Sequence, residues 1–155
     1  MGYNVIDLID KAIDIEMRRK IIFENIGQKK SDIPSIKIIS KVMIKNVDKT
    51  IQYYETLKKE IGSDDLDEID FVIYDKISFL INEFNKKKYV SEIKNVKEYL
   101  EFSLGLIRDT YSLLVDVQGR FIKNASDIHT KTYKVLGNII SNMFNNIETL
   151  EKTLK

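Results

Sequence analysis

Apolar residues recur along this chain at alternating steps of three and four, the period that turns one face of an α-helix toward a core. The first stripe is Val5, Ile9, Ala12, Glu16, Arg19, Phe23 and Ile26, predicting a helix from about Tyr3 to Ile26 that stops near Gly27. After the polar link Gln28-Lys29-Lys30, Ser31 or Asp32 is placed to cap a second helix, with Pro34 in its first turn. Its stripe is Ile36, Ser40, Met43, Val47, Thr50, Tyr54, Leu57 and Ile61. Gly62-Ser63-Asp64-Asp65-Leu66-Asp67-Glu68 breaks the pattern with a glycine stop, cap residues and acids suited to the positive end of the next helix. Those acids lack the order of a calcium loop, so they read as capping. A shorter helix from Leu66 to about Asn85 follows, with Leu66, Ile69, Ile73, Ile77, Leu80 and Phe84 inward and Lys86-Lys87-Lys88 closing it. A further helix runs from about Ser91 to Gln118 on Val96, Leu100, Ser103, Ile107, Thr110, Leu114 and Val117. Asn124-Ala125-Ser126-Asp127 caps the last, whose stripe is His129, Tyr133, Leu136, Ile140, Met143, Ile147, Leu150 and Leu154.

The stripes repeat. A shift that carries Asn4-Val5 onto Asn95-Val96 lays Ala12, Glu16 and Phe23 over Ser103, Ile107 and Leu114. A nearly equal shift carries Lys41-Val42-Met43 onto Lys134-Val135-Leu136, and Glu55-Thr56-Leu57 onto Glu148-Thr149-Leu150. The pattern predicts an all-α chain of one domain, residues 1–155. It would be a four-helix bundle with internal twofold duplication and an extra short crossover helix at about 66–85.

Composition narrows the chemistry more than it widens it. A net charge of +1 on 155 residues argues against a dedicated nucleic-acid binder, whose affinity comes from uncompensated Lys and Arg. The chain has no cysteine, which removes disulfides, thiolate metal sites and cysteine nucleophiles, and fits a cytoplasmic protein. Acids in the first residues do not suit a signal peptide, no long apolar run suits a membrane span, and Ile6 breaks a myristoylation motif begun by Gly2.

The pattern Ala12-x-x-x-Glu16-x-x-x-x-x-x-Phe23, with the duplicated helix pair and the inserted helix, resembles the rubrerythrin branch of the ferritin-like proteins. There a small residue, Glu and Tyr hold those three spacings in the first helix. The resemblance extends over nearly the whole chain, without the cysteine-bearing tail of rubrerythrins. It implies a di-iron centre built from one Glu on each of two helices and a Glu-x-x-His pair on each of the other two. By position these ligands fall on Glu16, Ile107, Val47 with Thr50, and Ile140 with Met143, so Glu16 alone is retained. Val and Ile offer iron no donor, and Met143 offers only a soft thioether. The expectation is therefore no metal, no other cofactor and no catalytic residue.

Glu16 then stands on an apolar stripe as a carboxylate bonded to Thr50, a Tyr or Arg19, as an edge residue, or as a remaining ligand. His129, the one histidine, lies far along its helix from Met143. Three functions compete. The first is a non-catalytic structural or interaction module, a homodimer among its forms, using leftover apolar faces such as Ile13, Ile21, Val42, Ile44 and Ile51. The second is a rubrerythrin-type oxidoreductase or iron-handling protein with a rearranged site drawing on Asp48, Asp109 or His129. The third is a binder of a small apolar ligand in the bundle core.

Overall fold

In the computed structural model of the protein, five α-helices follow one another among the described residues: α1 (Val5–Lys29), α2 (Pro34–Ile61), α3 (Phe71–Asn85), α4 (Val96–Gly119) and α5 (Lys131–Leu154). A short 3-10 turn, Ala125–His129, precedes α5. The structure describes residues 2–62, 66–89 and 92–154. Among them the chain is all-α, with one isolated antiparallel bridge between Tyr3 and Ile69. No helix of the described residues is long and apolar enough to cross a membrane.

Local chemistry sets the helix ends. Asn4 caps α1 by accepting from Ile6 N, while the Asp7 carboxylate accepts from Asn4 N, a reciprocal pair that satisfies two otherwise orphaned donors. Gly62 ends α2 at a φ of 69°, a left-handed conformation that a side chain would strain. Asn95 starts α4 by accepting from Glu98 N, and Glu98 reaches back to Lys94 N.

Several expected boundaries move. The first helix passes through Gly27 to Lys29, because that glycine serves packing instead of termination. A Cβ there would sit 3.0 Å from Ser40 Cβ and Oγ on α2. Ile33, without a side-chain cap, precedes Pro34 where Ser31 or Asp32 was expected to do so. The crossover helix starts at Phe71, not Leu66: Asp70 accepts from Val72 N and Ile73 N, and Ile69 N donates to Tyr3 O at 2.7 Å, fixing that residue as extended chain. The expected break residues Ser63, Asp64 and Asp65, and the expected start at Ser91, lie outside the described residues. His129 belongs to the 3-10 turn, and Thr130 opens α5 by accepting from Tyr133 N.

The cross-helix contacts fix the directions. Asp10 meets Lys58 and Lys20 meets Asp48, so α1 and α2 run antiparallel. Arg108 meets Glu151 and Gln118 reaches Tyr133 O, so α4 and α5 do the same. Phe23 lies against Tyr99 while Ile15 shares a groove with Thr110, which makes α1 antiparallel to α4 and leaves α2 and α4 parallel. Consecutive bundle helices that point the same way need a connection running the length of the bundle. The α3 segment supplies it, from the stacked rings of Tyr3 and Tyr74 at one end to the bond from Arg18 to Asn85 O at the other.

Core side chains come from the expected stripes. The α1, α2 and α4 positions from Val5 to Phe23, Ile36 to Leu57 and Leu100 to Val117 are buried as the pattern requires. On α5 the buried row is Thr132, Val135, Leu136, Ile139, Met143 and Ile147, so Ile139 replaces Ile140 as the residue turned fully inward.

Candidate functional site: the bundle midplane and the outer face of α3

At mid-length the apolar core is interrupted by charge. Glu16 and Arg19, one helical turn apart on α1, are 1% and 8% exposed. Arg19 Nη2 donates to Glu16 Oε1 at 2.9 Å. Burial holds the Glu16 carboxyl above its ordinary range, outweighing the charge of Arg19 beside it and the bond it donates. Burial, followed by the Glu16 charge, also holds the Tyr54 phenol well above its usual value. Among the described residues Glu16 Oε2, Arg19 Nε, Tyr54 OH and Asn142 Oδ1 are buried with no hydrogen-bond partner. Orphaned buried polar atoms of this kind each cost about 1–3 kcal/mol, so four together mark a place where packing alone does not explain the residues.

Of the three partners expected for Glu16, the structure selects Arg19. Thr50 donates to Asn46 O at 3.1 Å and receives Asn146 Nδ2 at 3.4 Å, so it belongs to a second polar group facing α5. Asn142 and Asn146, which the spacing argument passed over, stand beside Thr50, Ser103 and Arg19 around a cavity of about 330 Å³. Their signal in the sequence was the polar pair one turn apart on the inner side of an amphipathic helix, masked by the stripe through Ile140 and Met143.

The positions implied for metal ligands are only partly gathered here. Val47, Thr50 and Ile107 line the cavity, and Met143 is fully buried in the core. Ile140 is half-buried against that core, a correction to its expected place at the centre. This donor set does not fit a di-iron centre. Its one carboxylate is tied to a guanidinium, and its other members are aliphatic, a thioether, and a hydroxyl already donating to its own helix. Nor are the residues of the rearranged alternative drawn together. Asp48 is paired with Lys20 at the surface, Asp109 accepts from Tyr89 at 3.2 Å, and His129 is exposed in its turn. Among the described residues no three His, Cys, Asp or Glu side chains are grouped as a metal would need.

A second candidate lies outside the bundle. On α3, Ile77 and Ile81 are buried against Leu8, Ile15, Leu113 and Val117. Phe71, Val72 and Phe79 stand in solvent at 68%, 58% and 63% exposure, the three largest aromatic and branched exposures apart from Ile38. The apolar rows expected to form an interface behave differently: Ile13 is buried, Ile44 and Ile51 are half-buried in the core, and only Ile21 and Val42 are exposed.

No protein family, curated protein or solved structure matches the chain.

Proposed function

We propose that the chain is a non-catalytic scaffold of the ferritin-like kind, resembling rubrerythrin, whose metal positions have passed to packing residues. It works by docking protein along α3, and the partner is a second copy of itself. The two antiparallel helix pairs joined by a lengthwise crossover support the first part of this reading, as do the aliphatic side chains at Val47 and Ile107.

The observation that carries the docking role is the outer row of α3. Val72, Asp75, Lys76 and Phe79 are spaced by three, four and seven residues, one stripe of a helix, and all four are exposed. The stripe is self-complementary. Two copies of α3 packed antiparallel about a twofold axis between positions 75 and 76 set Val72 against the partner's Phe79, and Asp75 against the partner's Lys76. Each contact then occurs twice, as a closed twofold interface requires. Exposed apolar rows of this kind carry a solubility cost that pairing removes.

Sedimentation velocity tests the reading. The wild type is expected to sediment as a dimer, and Phe79→Glu as a folded monomer with unchanged helix content. A wild type that stays monomeric at tens of micromolar, or a Phe79→Glu variant that stays dimeric, contradicts it.

A further inference from the structure

The midplane cavity has a composition of its own. Its volume of about 330 Å³ lies in the range of small-molecule sites, and side chains from α1, α2, α4 and α5 all reach it. Its lining mixes apolar side chains, Phe23, Met43, Val47, Ile107 and Leu150, with the charged heads of Arg19 and Lys49 and with amides and hydroxyls, among them Asn142, Asn146 and Thr50. Among the described residues two cations and no carboxylate line it. Lys49 and Thr149 are exposed at the mouth, whereas Arg19 is more than nine-tenths buried.

Arg19 lines this space with five guanidinium N–H groups, of which the Nη2 bond to Glu16 is the one made among the described residues. A buried guanidinium N–H left without an acceptor is a site for an oxygen anion. Arg19 already shares its charge with Glu16, so the cavity is poorly equipped to balance a dianion such as inorganic phosphate. The apolar side chains would also face a fully hydrated ion without return. An anion with an apolar body satisfies both kinds of lining.

We infer that this cavity binds a small organic monocarboxylate. Its carboxylate rests on the Arg19 guanidinium and the Asn146 amide, and its aliphatic part lies against Val47, Ile107 and Met43. The site does not depend on pairing through α3, and a monomeric variant would bind as the wild type does.

The test is a titration of the ¹⁵N-labelled full chain with butyrate, hexanoate and octanoate, beside hexanol and inorganic phosphate at matched ionic strength. Saturable shifts are expected for the carboxylates, largest at the side-chain amides of Asn142 and Asn146, with affinity rising along the series. Hexanol and phosphate are expected to produce no saturating shifts there. Arg19→Gln is expected to abolish binding, but it strands Glu16, so two further variants keep the test independent of folding. Lys49→Ala at the mouth should weaken hexanoate several-fold with unchanged unfolding temperature, and Asn146→Leu about tenfold with unchanged helix content. No saturable binding by any carboxylate, equal binding of hexanol, or affinity indifferent to both variants would overturn the inference.

Discussion

At the scale of single residues, Glu16 shows how burial and pairing compete. An Arg beside a carboxylate ordinarily lowers its pKa, yet here the loss of water outweighs the Arg19 contribution and the shift is upward from 4.5. A carboxyl whose folded-state pKa is raised favours the folded state most when protonated. That contribution is complete below 4.5 and is lost as pH rises through the higher folded value. Glu16→Gln removes the titration. The unfolding free energy of wild type should therefore fall relative to Glu16→Gln as pH climbs above 4.5, in paired chemical denaturation series. A gap that moves the other way would contradict the assignment. Gly27 gives a second residue-scale prediction. Replacing a helical glycine by alanine ordinarily gains up to about 1 kcal/mol, but the new methyl would press on Ser40, whose hydroxyl is held 2.7 Å from Tyr99 OH. Overpacking should prevail, and Gly27→Ala should lose about 1 kcal/mol by denaturant unfolding, where a gain of that size would show the contact to be soft.

At the scale of helices, periodicity made most of the fold legible. The inward rows of α1, α2 and α4 were readable because a buried position recurs every three or four residues along each, widened on α1 and α4 by buried neighbours such as Leu8, Ile15, Leu104 and Leu113. What periodicity missed were features decided by other elements. Ile69 fits the helical pattern, but it pairs with Tyr3, a contact between residues far apart in the chain that no local window contains. Gly27 looked like a terminator because its role as a close-approach point depends on Ser40 of another helix. On α5 the expected Leu136, Met143 and Ile147 are buried, but Ile139 takes the place of Ile140, and the row passes over Asn142 and Asn146 at the cavity. The candidate site was half legible: Glu16 and Arg19 stood out as charges on an apolar stripe, whereas the cavity beside them exists only once four helices meet. α3 carries the prediction that belongs to this scale. Lys76→Asp sets like charges opposite each other in the paired stripe and should weaken the dimer. Combining it with Asp75→Lys restores the opposition and should recover the dimer, as read by sedimentation equilibrium. If the double variant dimerises no better than the single, the charges do not face one another.

At the scale of the molecule, the bundle combines a crossover connection, a midplane where Val47 and Ile107 stand beside a polar cavity, and a helix with an apolar row facing solvent. Each buried Val or Ile at the midplane contributes roughly 1.5–3 kcal/mol of apolar burial, where an unpaired carboxylate would instead cost several. Anaerobic incubation with Fe(II) followed by desalting should accordingly leave well under one iron per chain, by elemental analysis. Two retained irons would mean that the midplane still gathers hard donors. The docking role rests on two copies meeting along α3, and the absence of cysteine allows a direct measurement, since a single introduced thiol can be spin-labelled without competition. With Asn82→Cys labelled on the exposed side of α3, an antiparallel pair centred between positions 75 and 76 places the two labels about 20–25 Å apart, at ~1.5 Å rise per residue. Pulsed dipolar resonance should give that intermolecular distance, and it should vanish on adding Phe79→Glu. A trace with no dipolar modulation, or a short distance found instead for a label at Asn145 on α5, would contradict the account.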